Sequence, residues 1–345
     1  MVGEVHGKLR WKCNLMMTTM ICPICPICSS SDLINNIKYE NVEFSGSLIF
    51  EGLAVVGCKS CGFGYSSPDI PQNTVNQFYS FYYRQQSSPF FVDFPDLKRT
   101  RLEYRSLAQL LLAKNYVDFN CGETFLDIGP GSGASFNCAL NTLKKPKLVA
   151  IEFNDGAKNA YNRLYNAETF SDVNDFIASG YSAKIVLLSH SLEHFRLPDL
   201  ESALQNFKRL LSPGGVMIIE VPLTDMRKHA NSGVCASPHF LFFSLDSIEL
   251  LFRKYNWNIL YLNSCAETYG DWERSRFSNV TSAQNSMLLP LKILILKIKN
   301  ICRNLLSKVI HLLPNLSSFG LNYLSSQFSY GGDRTCLRIV VQPTD

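Results

Sequence analysis

Thr124-Phe125-Leu126-Asp127-Ile128-Gly129-Pro130-Gly131-Ser132-Gly133 is the stretch that decides the fold. Phe125, Leu126 and Ile128 read as a short buried strand, with the acid Asp127 close to its end. Glycine then recurs at every second position, Gly129, Gly131 and Gly133. That pattern describes a strand turning tightly into a helix. The backbone of such a turn takes φ > 0, and a side chain would fill the space where a ligand approaches the main chain.

Two ligand classes use this turn. Dinucleotides place a pyrophosphate on the helix N-terminus, and the G-x-G-x-x-A spacing that ends at Ala134 fits their fingerprint. S-adenosylmethionine (SAM) has no phosphate; its ammonium and sulfonium suit a carboxylate beside glycine main chain, and Asp127 ahead of Gly129 favours it. The stretch resembles motif I of the class I SAM-dependent methyltransferases, an acid followed by G-x-G-x-G. Further motifs follow in that family's order. Leu148–Glu152 is an apolar run ending in an acid about 20 residues on, where doubly wound folds hold ribose hydroxyls. Lys184–Phe195 reads as a strand running into Ser-Leu-Glu-His-Phe, similar to the family's "LEH" loop, and Leu210–Pro222 resembles its "L-x-PGG" turn and strand.

The resemblance covers Arg101 to Leu262. It implies a doubly wound, Rossmann-like α/β sheet whose last strand, near Arg334–Val341, enters antiparallel. It also implies SAM contacts at Asp127, Gly129, Pro130, Gly131, Gly133, Glu152, Ser189 and His190, with Asp172 at the third strand's end facing the adenine. Helices are expected over Leu97–Tyr116, Glu201–Leu211 and Ser247–Tyr255, and a strand over Asn258–Leu262.

Length leaves room for more than one domain, and a formal net charge of +4 is too small to imply nucleic acid. Residues 1–20 read as a disordered leader without the apolar run of a signal sequence. The cysteines do not form a disulfide framework. Cys25-Pro26-Ile27-Cys28 and Cys58-Lys59-Ser60-Cys61-Gly62 are two C-x-x-C knuckles around strand-forming sequence, and this argues for four thiolates on one structural zinc, a small zinc ribbon over 21–75. Cys22-Pro23-Ile24-Cys25 offers an alternative register, but Cys25/Cys28 resembles the "CPxC" knuckle that opens such ribbons. Residues 76–100 read as a linker that begins with the aromatic cluster Phe78–Tyr83. A ribbon ahead of a SAM domain resembles bacterial methyltransferases that modify sugars and polysaccharides.

The methyltransferase core is expected over 101–270, a basic amphipathic helical insertion over 271–330 and the final strand over 331–345. Candidate catalytic residues are His194, as general base, with Glu193 and His239. Leu291–Leu313 is rich in Leu and Ile interrupted by Lys292, Lys297, Lys299, Arg303 and Lys308. It has too many charges to span a bilayer, and it reads either as an interfacial helix or as one packed on protein. The acceptor expected is a small polar molecule, first a sugar or nucleotide sugar, handled in the cytoplasm or at the inner face of the membrane. An RNA or protein acceptor, a SAM- or zinc-binding scaffold without turnover, and an NAD-dependent oxidoreductase are the alternatives.

Overall fold

The computed structural model describes residues 24–40, 48–79, 104–235, 239–265 and 335–344. The N-terminal part is an antiparallel meander of β1 (Leu33–Glu40), β2 (Ala54–Cys58) and β3 (Gly64–Ser67). Helices α1 (Gln72–Gln77) and α2 (Tyr104–Ala113) follow. The larger sheet then begins, as β4 (Thr124–Ile128), α3 (Ala134–Thr142), β5 (Lys147–Ile151), α4 (Asp155–Tyr165), β6 (Glu168–Phe170), α5 (Val173–Ala178) and β7 (Ala183–Ser189). Next come α6 (Leu197–Leu210), β8 (Leu211–Pro222), β9 (Val234–Cys235), β10 (Leu241–Phe242), α7 (Leu245–Lys254), β11 (Trp257–Cys265) and β12 (Cys336–Pro343).

Seven strands form the larger sheet in the order β11-β12-β8-β7-β4-β5-β6. From β4 the chain winds one way through β5 and β6, then returns to place β7 and β8 on the other side, all in parallel. β12 pairs antiparallel with both β8 and β11. This is the doubly wound sheet with an antiparallel last strand that the motifs imply. Its strands are apolar nearly throughout because helices cover both faces: α2, α3 and α4 pack on one, α5, α6 and α7 on the other. The strand order reverses between β4 and β7, and ligands of such sheets bind outside the strand ends at that point.

The helices differ from expectation at their ends. α6 starts at Leu197, because Pro198 suits a first helical turn, and α7 starts at Leu245, because Ser244 and Ser247 form a reciprocal capping box. β11 runs on to Cys265 because its whole length pairs with β12.

The ribbon is not a separate bead. β9 and β10, from the segment after β8, add to its edges to give the sheet order β10-β3-β2-β1-β9. Met226, Phe240 and Phe242 share a buried cluster with Tyr39, Phe50 and Val55. Among the described residues no helix is long and apolar enough to cross a membrane. The expected leader 1–20, Cys22, the Ser80–Tyr83 part of the aromatic cluster and the Leu291–Leu313 segment lie outside the described residues.

Candidate functional site

The turn after β4 has the conformation its glycines require. Gly129, Gly131 and Gly133 sit at φ of 72°, 58° and 72°. They differ in what a side chain would meet. A Cβ at Gly133 would press on Tyr161 and Tyr165 at 3.1–3.4 Å, whereas one at Gly131 would find no atom of the described residues within 4 Å. Gly131 therefore borders open space at the switch point. Tyr161 Oη donates to the Gly131 carbonyl at 2.6 Å and fixes the turn from below. Pro130 lies within the same turn, its carbonyl accepting from Gly133 N.

Asp127 is buried, and Ser135 Oγ donates to its Oδ2. Burial raises its carboxyl to about 7; the Ser135 hydrogen bond opposes this and the neighbouring Glu152 adds to it. A carboxyl raised above its unfolded value favours folding while protonated, so stability falls as pH rises from 3.8 towards 7. A cation beside it reverses that penalty, and SAM carries an ammonium and a sulfonium. Glu152, buried at the end of β5, accepts from Asn154 N at 2.9 Å. The chain thus offers the features SAM requires: a buried carboxylate, an open glycine cradle and a second acid at the next strand end. Asp172 lies two residues beyond β6 and caps α5, its Oδ1 accepting from Asn174 N and Asp175 N at 2.7 and 2.9 Å.

The loop after β7 brings the catalytic candidates together. Ser191 Oγ donates to the Ile128 carbonyl at 3.1 Å, which ties this loop to the glycine turn. Glu193, in a single 3-10 turn at Leu192–His194, is only 1% exposed. Its Oε1 lies 3.5 Å from His190 Nδ1 and 3.9 Å from His239 Nε2. Burial pushes this carboxyl up, but His190, His194 and His239 outweigh it and hold it below its usual range. Tyr79 Oη and His194 Nδ1 are 2.8 Å apart, and the His194 and His239 rings stand 5.1 Å apart. Burial, reinforced by His194, lowers His239 to about 4, so it is neutral at neutral pH.

The ribbon places His239. Tyr39 Oη donates to the His239 carbonyl at 3.0 Å, Ser66 N donates to the Phe240 carbonyl at 2.8 Å, and Phe240 N donates to the Glu193 carbonyl at 2.9 Å. Sequence reasoning missed this coupling, because Tyr39 and His239 meet only through the fold.

Ser189 and His190 belong to a second buried group. Gln109 Nε2 donates to Ser189 Oγ and to Glu220 Oε2, both at 2.9 Å. Arg338 Nε donates to the same Glu220 oxygen at 2.7 Å, and His190 Nε2 stands 3.5 Å from Oε1. Burial would raise Glu220, yet Arg338 and His190 hold it well below the carboxylate range. Burial opposes protonation of His190 as well, but its contacts with Cys336 and with the Glu193 and Glu220 carboxylates prevail and raise it. The sequence signal was a charge inside each of two apolar runs, Val216–Val221 and Cys336–Val341. Arg338→Met alone is expected to destabilise the protein by about 3–5 kcal/mol, because it strands a buried carboxylate. Adding Glu220→Gln should recover most of the loss, as read by urea unfolding.

The four predicted cysteines converge. Cys25 Sγ and Cys61 Sγ lie 3.6 Å apart, as do Cys28 Sγ and Cys58 Sγ, and all four sulfurs lie within 4.8 Å of one another. A tetrahedral zinc with Zn–S bonds of about 2.3 Å would set its sulfurs about 3.8 Å apart. The amides of Ile27 and Cys61 point at Cys25 Sγ and Cys58 Sγ. The hydrogen bond with Cys61 lowers the Cys25 thiol to about 5, the thiolate form that a metal takes.

Residues 97–262 match the family model described as a methyltransferase domain, just under half of the chain. No curated protein matches significantly. Similar solved structures include the plantazolicin methyltransferase BpumL in complex with a triazolic desmethylPZN analog and SAH, at 14% identity and a TM-score of 0.45, covering 79% of this chain and 95% of that one. Another is the Burkholderia thailandensis 1,6-didemethyltoxoflavin-N1-methyltransferase, at 14% identity and 0.40, covering 59% and 88%. A third is coclaurine N-methyltransferase bound to N-methylheliamine and SAH, at 15% identity and 0.39, covering 72% and 74%. These likenesses carry no weight on what this chain binds. The matched family model makes this part of the chain similar to a methyltransferase domain, and the strand order and the glycine turn with its buried acid fit that likeness.

Proposed function

We propose that the protein transfers the methyl group of SAM to a hydroxyl of a small polar acceptor, a sugar or nucleotide sugar used in making a surface polysaccharide. The observation that carries the reading is the group Tyr79, Glu193, His194 and His239, gathered beside the glycine turn at the strand-order reversal. SAM supplies an activated methyl when bound. The protein's own work is to hold the donor, orient the acceptor and take the acceptor's proton. Asp127, Glu152 and the Gly129–Gly133 turn would hold the donor, and His190 would stand near it. His194, oriented by Tyr79 Oη, takes the proton. Buried Glu193 stabilises the imidazolium that forms, and His239 positions the acceptor.

The sugar class rests on the resemblance of ribbon-before-domain order. Structural zinc on Cys25, Cys28, Cys58 and Cys61 belongs to the same proposal, supported by the spacing of the sulfurs. So does peripheral membrane contact through Leu291–Leu313, supported by its basic, leucine-rich sequence.

A panel of nucleotide sugars with SAM, read by release of S-adenosylhomocysteine, tests the reading. His194→Ala is expected to lower kcat roughly 10²–10⁴-fold with SAM affinity unchanged. Full turnover in both His194→Ala and His239→Ala would remove the base from this cluster, and no turnover on any sugar would remove the acceptor class.

A further inference from the structure

We infer that Glu193, His194 and His239 form a binding site for a divalent first-row metal ion, separate from the cysteine cluster. Each offers one ligand atom, and the three atoms lie within 4.8 Å of one another. Two imidazoles and one carboxylate are a donor set that such ions take, with coordination positions left for other ligands.

Glu193 argues most strongly for an occupant. Both of its carboxylate oxygens are shielded from solvent and make no hydrogen bond among the described residues; the His190 imidazole, 3.5 Å from Oε1, faces it as an ion-pair partner only. A buried carboxylate left in that condition is costly. Its Oε1 faces His239 Nε2 at 3.9 Å, too long for a hydrogen bond. Ligand atoms at about 2.1 Å from one ion stand roughly 3.0–3.4 Å apart, so a small inward movement completes the set. The ribbon's bonds to His239 and Phe240 and the Phe240 N–Glu193 carbonyl bond fix the two sides of the gap. The Tyr79 Oη–His194 Nδ1 contact orients the His194 ring, as partners beyond the ligands do in metal sites.

The cysteine cluster differs in chemistry as well as in place. Four thiols select a soft, closed tetrahedral site, whereas nitrogen and carboxylate oxygen also accept a harder ion with open positions. What the ion does there rests on the methyl-transfer reading: a hydroxyl bound to it loses its proton at a lower pH than in water. That narrows the acceptor to a molecule whose reacting hydroxyl can ligate a metal. His194 is then a ligand, and the hydroxyl's proton passes to solvent water, so the ion takes over the part that His194 plays in its absence.

Full-length protein, carrying zinc on its cysteines, is titrated with MnCl2, and binding is read from the loss of the free Mn(II) electron paramagnetic resonance signal. One equivalent per chain is expected. Glu193→Gln and His239→Ala should each weaken it at least about tenfold, and His229→Ala, outside the cluster, should not. Absence of a manganese site in the wild-type protein, or equal affinity in both cluster variants, overturns the proposal. SAM titration of the same samples separates the two readings. Manganese binding without SAM binding supports the site while defeating methyl transfer, and SAM binding without manganese binding defeats the site alone.

Discussion

Removing the zinc proposed on the cysteine cluster, by chelation or by Cys58→Ser with Cys61→Ser, is expected to abolish methyl transfer while leaving SAM binding nearly intact. Structural zinc contributes on the order of 10–16 kcal/mol to small domains, as much as the whole stability of many proteins, so the ribbon should unfold without it. The loss would then pass to the site along named bonds. Tyr39 holds the His239 carbonyl, Ser66 holds Phe240, and Phe240 holds Glu193. Ser244 Oγ also donates to the Cys61 carbonyl at 2.5 Å, which joins the second knuckle to the start of α7. A displacement of about 1 Å at a catalytic group costs on the order of 10²-fold in rate. Turnover should fall by at least that factor. The residues proposed to hold the donor, Asp127, Glu152 and the Gly129–Gly133 turn, lie on or just after β4 and β5, outside the ribbon's sheet, so calorimetric SAM affinity should change little. Cys121→Ser, at an exposed cysteine outside the cluster, is the control and should alter neither quantity. Turnover that survives chelation would show that the ribbon does not hold the site.

Gly131→Leu should eliminate SAM binding at modest cost to the fold. Gly131 has φ of 58° and no atom within 4 Å of its would-be Cβ. The added Cβ therefore meets none of the described residues, and its left-handed backbone costs about 1–2 kcal/mol. It does occupy the cradle, so affinity should fall by at least about 100-fold, roughly 2.7 kcal/mol. The neighbouring glycine behaves in the opposite way. At Gly133 even a methyl group meets Tyr161 and Tyr165 at 3.1–3.4 Å, so Gly133→Ala should lower the melting temperature more than Gly131→Leu does. Equal SAM affinity in Gly131→Leu and wild type would place the cofactor elsewhere.

These two residues also show why the fold could be read from sequence. A strand that turns into a helix through left-handed backbone accepts few residues other than glycine, so its chemistry is written locally. The Pro213-Gly214-Gly215 turn is legible for the same reason: Gly214 is at φ of 64° and the β7–β8 register shifts there. The cysteine set was legible because tetrahedral ligation fixes spacing within each knuckle.

What could not be read depends on chain segments far apart. β9 and β10 are two residues each, too short for any periodicity, and they exist because the ribbon offers sheet edges. Glu193 gave no sign of burial, since its position in a 3-10 turn has no repeating pattern. The meeting of Glu220 with Arg338 depends on the antiparallel register of β8 and β12, which sets them opposite each other. Tyr79, within the aromatic cluster of the expected linker, and Tyr39, within the ribbon, carry no local mark that the fold sets their hydroxyls against His194 and the His239 carbonyl.

The most direct test of the account is calorimetric titration of the zinc-loaded protein with SAM and, in parallel, with NAD, at pH 6 and pH 8. SAM alone should bind. With the free Asp127 carboxyl at about 7, its ionised fraction rises about tenfold between those pH values, and SAM should bind roughly tenfold more tightly at pH 8. Binding of NAD alone, or of neither ligand, would contradict the assignment of the glycine turn to SAM.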